Sequence, residues 1–184
     1  MLRINLSFLS FAEELYRLGQ IQVKHFKKGS LLVQQGYPLP KVYILKKGIS
    51  KCYYSAENGK NYILEFLSAG EVLGDIELIK KIDCLCSVEA LTDVEAFAIP
   101  IQRIYSLLQN DITFNKLFID ELAEKVINTS VRSSVQQLYN IQPALENLLT
   151  IQSKQNISLT KEDMAAYLGI TLRSLNRLLS IKKT

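Results

Sequence analysis

The fold is decided by residues 36–74, which have the sequence GYPLPKVYILKKGISKCYYSAENGKNYILEFLSAGEVLG. Glycines divide this stretch at spacings of 12, 11 and 11 residues: Gly36, Gly48, Gly59 and Gly70. The segments between them are rich in β-branched and aromatic residues, and several alternate at period two. Short strands with a turn about every 8 to 12 residues are typical of a β-sandwich or a small barrel.

Two further patterns extend the predicted β region. Asn58-Gly59 is a hairpin turn signal, because both residues tolerate a positive φ. The strand pattern weakens after Gly74, and residues 87–99 (SVEALTDVEAFAI) then predict one more hairpin.

Helical patterns flank the predicted strands. Apolar residues of the segment from Phe8 to Leu18 share one helical face. Pro100 suits the start of a second helix, and Asn110-Asp111 can cap a long helix that runs to about Leu138. The apolar stripe of that long helix is typical either of a core helix or of a seam with a partner helix: Phe118, Leu122, Ile127, Val131, Val135 and Leu138.

The segment 160–179, TKEDMAAYLGITLRSLNRLL, predicts a helix-turn-helix. Thr160 can cap its first helix, and Gly169 permits the left-handed turn that ends it. Thr171 can cap the second helix, whose apolar face comprises Leu175, Leu178 and Leu179. The opposite face carries Leu172, Arg173, Asn176 and Arg177. An ordinary helical hairpin with a basic exposed face is the alternative, but such side chains suit base edges and phosphates.

Composition excludes several functional classes. The chain has 184 residues, a net charge of +4, three cysteines and one histidine, His25. One histidine cannot form a His-rich metal centre or a nucleophile–base set, so we expect neither a metal site nor a catalytic residue. No apolar run reaches the about 18 residues of a membrane span, and an odd, small number of cysteines favours a reducing cytoplasm.

The order of glycine-punctuated strands, long helix and helix-turn-helix resembles the Crp/Fnr family of transcription regulators. The resemblance spans nearly the whole chain and includes GDIEL at 74–78 and NTS at 128–130. Residues 61–79 and the segment MAAYLGIT are most similar to the YeiL-type branch. The resemblance implies an α+β fold with a double-stranded β-helix, or β-roll, as the sensory domain (1–110). It also implies a dimerisation helix (111–139), with Phe118, Leu122 and Ile127 at the seam, and a helix-turn-helix domain (140–184). Family members continue into a β-hairpin wing, which we expect this chain to lack, because it ends seven residues after Arg177.

Effector residues carry over only in part. Gly74 and Asp75 match the Gly and acidic residue with which cyclic-nucleotide binders of the family hold their ligand, and Thr129 and Ser130 match their Thr-Ser pair. The arginine that clamps the cyclic phosphate has no counterpart, since no arginine lies between Arg17 and Arg103. Such a charge-assisted hydrogen bond contributes about 1.5–3 kcal/mol, so we expect weak or no binding of cyclic AMP, and the effector stays unidentified.

The cysteines leave two alternatives open. Iron–sulfur members of the family use an N-terminal cysteine cluster, and this chain has no cysteine before Cys52. Cys84 and Cys86 are two residues apart on a predicted exposed loop, where they could have a redox or metal role. Otherwise they are small half-buried residues.

The leading hypothesis is a homodimeric regulator that binds a palindromic operator, with RNA polymerase as a further partner implied by the resemblance and no membrane partner. Its predicted DNA contacts are Thr160, Lys161, Thr171, Leu172, Arg173, Ser174, Asn176 and Arg177. The alternative is a cyclic-nucleotide-binding regulatory module that acts on a partner protein.

Overall fold

The structure is a computed structural model that describes residues 2–138 and 141–181, with side chains described for 2–134 and 141–180. The side chains of the predicted stripe residues Val135 and Leu138 are outside the described set, and the predicted boundary at 139/140 falls on residues outside the described ranges. In chain order the elements are α1 (Leu6–Arg17), β1 (Gln22–Phe26), β2 (Leu31–Val33), β3 (Val42–Lys47), β4 (Ser50–Ser55), β5 (Asn61–Leu67), β6 (Val72–Leu73), α2 (Asp75–Lys80), β7 (Ser87–Ala90), β8 (Val94–Ile99), α3 (Ile101–Asn110), α4 (Ile112–Leu138), α5 (Gln142–Gln155), α6 (Lys161–Leu168) and α7 (Leu172–Ile181).

The strands form two antiparallel sheets, in the orders β1-β8-β3-β6 and β2-β7-β4-β5. The chain passes from the first sheet to the second at Gly48, where φ is +93° and a Cβ would collide with the carbonyl oxygen of Asp93. Only glycine suits that position. At Asn58-Gly59 the predicted hairpin is confirmed, because β4 pairs with β5 from Ser50 opposite Leu67 to Ser55 opposite Asn61. The β-roll and its flanking helices confirm the α+β class.

The predicted hairpin over residues 87–99 is wrong. The segment forms two strands, but β7 pairs with β2 and β4, whereas β8 pairs with β1 and β3. The chain changes sheets in the turn between them, where the amides of Leu91 and Thr92 both donate to the carbonyl oxygen of Ile49. Local composition marks a turn without specifying which strands pair on either side of it.

The first sheet is buried on both faces. Val42 and Ile44 of β3 face a helical layer, while Tyr43 and Leu45 face the interior of the roll, as the period of two requires. In the helical layer, Phe8 of α1 packs edge-on against Phe114 and Phe118 of α4.

The outer face of the second sheet is covered by the C-terminal helices. Ile63 and Phe66 of β5 lie in one apolar cluster with residues of α5, α6 and α7: Leu145, Leu148, Met164 and Leu175. The ring of Phe66 is 5.1 Å from that of Tyr167 in α6. The helix-turn-helix is therefore seated on the β-roll.

Candidate DNA-binding and effector sites

The segment α6–turn–α7 has the local structure that the sequence predicts for a helix-turn-helix. Thr160 caps α6, since its Oγ1 accepts a hydrogen bond from the Asp163 amide at 3.0 Å. Gly169 ends α6 with a φ of +67°. Thr171 Oγ1 then accepts from the Ser174 amide at 3.2 Å and so begins α7. The two caps and the glycine set the angle between the helices.

The second helix, α7, has one buried and one exposed face. Leu175 is fully buried beneath it. Leu172, Arg173, Asn176 and Arg177 are all exposed, and the predicted outward face is present as a continuous surface. Lys161, at the start of α6, donates from Nζ to Asn176 Oδ1 at 2.8 Å. This contact uses the oxygen of the Asn176 side-chain amide and not its NH₂ group.

The three predicted seam residues of the long helix α4 differ in burial. Phe118 is 2% exposed and lies in the core of its own chain, so it has no surface to offer a partner, and its assignment to the seam is corrected. Leu122 is half-buried against the same core, and Ile127 is exposed. Residues spaced by about seven positions drift gradually around a straight helix. One apolar pattern can therefore contain both a buried residue, Phe118, and an exposed residue, Ile127.

Sequence reasoning did not single out two exposed apolar residues of α4. Ile119 is 66% exposed and Val126 is 65% exposed. They lie seven residues apart, and Ile112 continues the same spacing toward the N-terminus. A heptad of exposed apolar residues is the pattern of a helix–helix seam. The stripe predicted from the sequence contains neither residue, although their spacing of seven is visible in it.

Asp75 lies buried at the start of α2, directly after Gly74. Its Oδ2 accepts a hydrogen bond from Lys125 Nζ of α4 at 2.7 Å. Gly74 has a φ of +88°, and a Cβ there would meet the side chain of Leu39. Asp75 is thus already partnered by a cation of its own chain.

A buried charged cluster surrounds this ion pair. Arg3 donates from Nε and Nη2 to both carboxylate oxygens of Glu71, at 2.6 and 2.8 Å, and also to Glu121. The hydrogen bond to Glu71 raises the pKa of Arg3. Burial raises the pKa of Glu121, and burial likewise raises the pKa of Glu65 on β5. Four carboxyl groups (Glu65, Glu71, Asp75 and Glu121) therefore meet two cations, Arg3 and Lys125, in this part of the roll.

Thr129 and Ser130 follow Lys125 on α4, and both are exposed. Thr129 is four residues after Lys125 and so shares its helix face. Among the predicted effector residues, Gly74 and Asp75 are adjacent in the chain. Asp75 contacts α4 through its ion pair with Lys125. Sequence reasoning missed Lys125 itself, although its position one turn before Thr129 was a visible signal.

The cysteines do not lie as predicted. Cys84 is 3% exposed in the roll interior rather than on an exposed loop. Cys86 is half-buried, which agrees with the alternative of a small half-buried residue. Among the residues that the structure describes, no group of three or more His, Cys, Asp or Glu side chains could hold a metal ion.

Two side chains join the β-roll to the helix-turn-helix. Lys51 of β4 donates from Nζ to Asp163 of α6 at 2.8 Å. Arg132 of α4 donates to the carbonyl oxygens of Ile63 and Tyr167, and its guanidinium lies 4.2 Å from the Tyr167 ring centroid. These contacts connect all three parts of the chain. Within the described ranges, the helices are too short or too polar to cross a membrane.

Comparison with known sequences identifies the β-roll. The family model of the cyclic nucleotide-binding domain matches residues 23–111. Regulatory protein YeiL of Escherichia coli O157:H7 is 26% identical over 152 residues, which cover 82% of this chain and 69% of YeiL. The fumarate and nitrate reduction regulatory protein of Vibrio cholerae is 26% identical over 181 residues, which cover 90% of this chain and 71% of that protein.

Solved structures share the fold. The c-di-GMP responsive global regulator CLP of Xanthomonas campestris superposes with a TM-score of 0.77 at 16% identity, over 95% of this chain and 91% of CLP. A transcriptional regulator of the CRP/FNR family from Thermus thermophilus has a TM-score of 0.73 at 18% identity, over 86% of this chain and 84% of its own.

The two sequence relatives named above are regulatory proteins. A nucleotide-binding-type β-roll, a long helix and a helix-turn-helix occur in this chain in the order that these relatives share. Together, the matched domain and these relatives support a regulator of the Crp/Fnr family.

Proposed function

We propose that this protein is a homodimeric transcription regulator that binds a specific palindromic DNA site and whose β-roll receives the controlling signal. In this arrangement residues 1–110 are the sensory domain, residues 111–139 the dimerisation helix and residues 140–184 the DNA-binding domain. The observation that carries the proposal is the exposed face of α7, where Arg173, Asn176 and Arg177 stand opposite the buried Leu175.

Each side chain of this face has a defined role in the proposal. Arg173 and Arg177 are one helical turn apart and suit guanine O6 and N7, because a guanidinium forms two parallel hydrogen bonds with that edge. Leu172 suits a thymine methyl group. Four residues near the starts of α6 and α7 would contact DNA phosphates, because hydroxyl groups, backbone amides and positive charge at a helix start bind phosphate. They are Thr160, Lys161, Thr171 and Ser174.

The dimer would form through α4, with Ile119 and Val126 in the seam and Ile127 beside it. The exposed heptad on α4 supports parallel pairing about a two-fold axis. Two α7 helices related by that axis would contact half-sites about one turn of DNA, ~34 Å, apart.

The signal would enter the roll near Gly74, Asp75, Thr129 and Ser130. The surplus of carboxyl groups there argues against an anionic ligand, because the phosphate would face Asp75 and Glu121, and the cations Lys125 and Arg3 are already paired with these carboxyl groups. A change in the roll would reach DNA through Lys51–Asp163 and the Arg132–Tyr167 contact.

A selection from randomised duplex DNA with the full chain tests the proposal. We expect enrichment of a two-fold symmetric sequence, and loss of that enrichment when Arg173 and Arg177 are both replaced by Ala. The matched control replaces Lys60 and Lys154, two exposed lysines away from α7, and should enrich the same sequence. Equal affinity for every sequence would overturn the proposal in favour of a regulatory module that acts on a partner protein.

A further inference from the structure

Residues 2–5, which precede α1, contact separate parts of the chain. At one end, the half-buried side chain of Leu2 packs against the apolar cluster of β5 and the C-terminal helices, and it lines a shallow cavity with Ile151 of α5. At the other end, the Asn5 amide donates to the carbonyl oxygen of Ala69, in the loop between β5 and β6, at 3.1 Å. This short segment therefore connects the C-terminal helices to the β-roll.

Arg3 fixes the middle of the segment to two buried carboxylates. Its guanidinium binds both oxygens of Glu71, at 2.6 and 2.8 Å, and its Nη2 also donates to Glu121 of α4 at 2.5 Å. The side chains of Glu71 and Glu121 are only 2% and 1% exposed, so their charges require a cation beside them. The Asn5 side chain donates to the second oxygen of Glu121 at 2.6 Å. Arg3, Glu71 and Glu121 together form the Arg3 triad.

The β-roll makes room for the segment at Gly70. A Cβ at Gly70 would collide with the carbonyl oxygen of Asn5, and the φ of Gly70 is +85°. Gly59 has a similar φ of +77°, but a Cβ there would have nothing within 4 Å. The close approach of Asn5 is thus a second reason, besides backbone conformation, for glycine at position 70.

The Arg3 triad shares a carboxylate with the ion pair at Asp75. Glu121 Oε1 accepts the hydrogen bond of Arg3 and also lies 3.8 Å from Lys125 Nζ. The same nitrogen is 2.7 Å from Asp75 Oδ2. A change that draws Lys125 away from Asp75 therefore alters the field at Glu121 and with it the contact to Arg3.

We propose that residues 2–5 are a strap that holds α5, and with it α6 and α7, in one position on the β-roll, and that the Arg3 triad keeps the strap in place. While the triad is formed, Leu2 stays against α5 and the two α7 helices of a dimer have a fixed separation. When the triad opens, α5 loses part of its packing and α7 loses its fixed position. A fixed position lowers the cost of placing two helices on two half-sites. This effect on DNA rests on the proposed function, because it requires that α7 binds a palindromic site.

The first experiment measures amide hydrogen exchange of the full chain without DNA. Short helices depend on tertiary packing for protection, so Leu2→Ala and Arg3→Met should each speed exchange in α5 about tenfold, and more than in β3 and β8. The matched controls Leu6→Ala and Arg17→Met change an exposed leucine and an exposed arginine of α1, and they should leave α5 unchanged. Exchange in α5 that is unchanged, or that rises no more than in β3 and β8, would overturn the proposal.

Gly70→Ala tests the strap without changing any of its residues. The added Cβ should displace Asn5 and open the triad, so α5 should again exchange faster. Gly59→Ala, the matched control, places alanine at a similar positive φ away from the strap and should leave α5 protected. Equal effects of the two alanines on α5 would show that the strap is not held at Gly70, and the proposal would fail.

The second experiment measures affinity for the selected palindrome and for a single half-site. We expect Leu2→Ala to weaken binding of the palindrome about fivefold or more, and binding of the half-site much less, because only the palindrome needs both α7 helices at a fixed separation. Leu6→Ala should bind both as the wild type does. Palindrome affinity that is unchanged or higher in Leu2→Ala would refute the role of the strap in DNA binding. A wild-type chain that binds no sequence specifically, while Leu2→Ala still frees α5, would refute the proposed function and leave the strap established.

Discussion

Lys125 Nζ lies 2.7 Å from Asp75 Oδ2 and donates a second hydrogen bond, also of 2.7 Å, to the carbonyl oxygen of Val72. Glu121, one turn earlier on α4, is 3.8 Å from the same nitrogen. Burial by itself would lower the pKa of Lys125, but the charge and hydrogen bond of Asp75 together with the charges of Glu121 and Glu71 outweigh burial, and the pKa is raised. The long helix is thus tied to the loop at Gly74 and Asp75, where we propose that the signal enters the roll.

Replacement of Lys125 by Met should leave Asp75 as an uncompensated buried charge. We expect the free energy of unfolding to fall by about 3–5 kcal/mol, because the partner of a buried ion pair is removed. Urea unfolding at pH 7 measures the change. Lys116→Met, an exposed lysine on the same helix, should change stability by less than about 0.5 kcal/mol. Equal stabilities of the Lys125 and Lys116 variants would contradict the ion pair.

Arg177→Ala and Lys161→Ala should weaken DNA binding in different ways. Loss of a bidentate contact to guanine costs about 1–3 kcal/mol, so Arg177→Ala should reduce affinity for the selected sequence far more than for random DNA. Lys161→Ala should weaken both alike and reduce the salt slope by about one. Fluorescence anisotropy over a series of salt concentrations measures both effects. A uniform loss in Arg177→Ala would assign that residue to a phosphate.

Charged substitutions on α4 should separate seam residues from core residues. Ile119→Glu and Val126→Glu should each convert a dimer to a folded monomer, since a carboxylate in an apolar seam is desolvated without a partner. Phe118→Ala should instead lower the free energy of unfolding by about 3–5 kcal/mol. Sedimentation velocity together with urea unfolding distinguishes the two outcomes. A wild-type chain that sediments as a monomer at micromolar concentration refutes the seam.

Cyclic AMP should bind weakly or not at all. Its phosphate would enter a region with four carboxyl groups and two cations already paired to them, and with no arginine on the β-roll between Arg17 and Arg103. Titration calorimetry with the full chain measures the affinity. A dissociation constant near ~1 μM, equivalent to about −8 kcal/mol, would contradict this, and Lys80→Ala and Lys81→Ala would then locate the substitute cation.

Glu65→Gln should stabilise the protein near neutral pH. Burial raises the pKa of Glu65, and the charge of Glu71 raises it further. A carboxyl group whose folded pKa exceeds its unfolded value of about 4.3 favours folding when protonated, and this contribution is lost as the pH rises through the folded pKa. The gain in Glu65→Gln should therefore be present at pH 7 and vanish on acidification below about pH 4.

Thermal unfolding of Glu65→Gln and wild type across that pH range measures the difference. The exposed Glu57→Gln provides the control and should show no pH-dependent gain. A gain that is the same at every pH would attribute the effect of Glu65→Gln to packing instead of ionisation.

Local patterns in the sequence determined most of the elements and the helix-turn-helix. Period-two alternation, the glycine spacing and the caps at Thr160, Asp111 and Thr171 depend on neighbours a few residues away, and each is present where predicted. Helix α2 was not predicted, because its six residues lie between the positive φ values of Gly74 and Lys81 and are too few for a periodic signal.

Only the tertiary structure decided which distant residues meet. Three findings are of this kind: the pairings of β7 and β8, the burial of Phe118, and the ion pair of Asp75 with Lys125. They involve positions that are far apart in the chain or that local composition cannot tell apart. Sheet register and helix rotation set these contacts, and both depend on the burial of apolar surface by the whole domain. Sequence periodicity predicts on which face of its own helix or strand a residue lies. Which other helix or strand packs against that face depends on the tertiary structure.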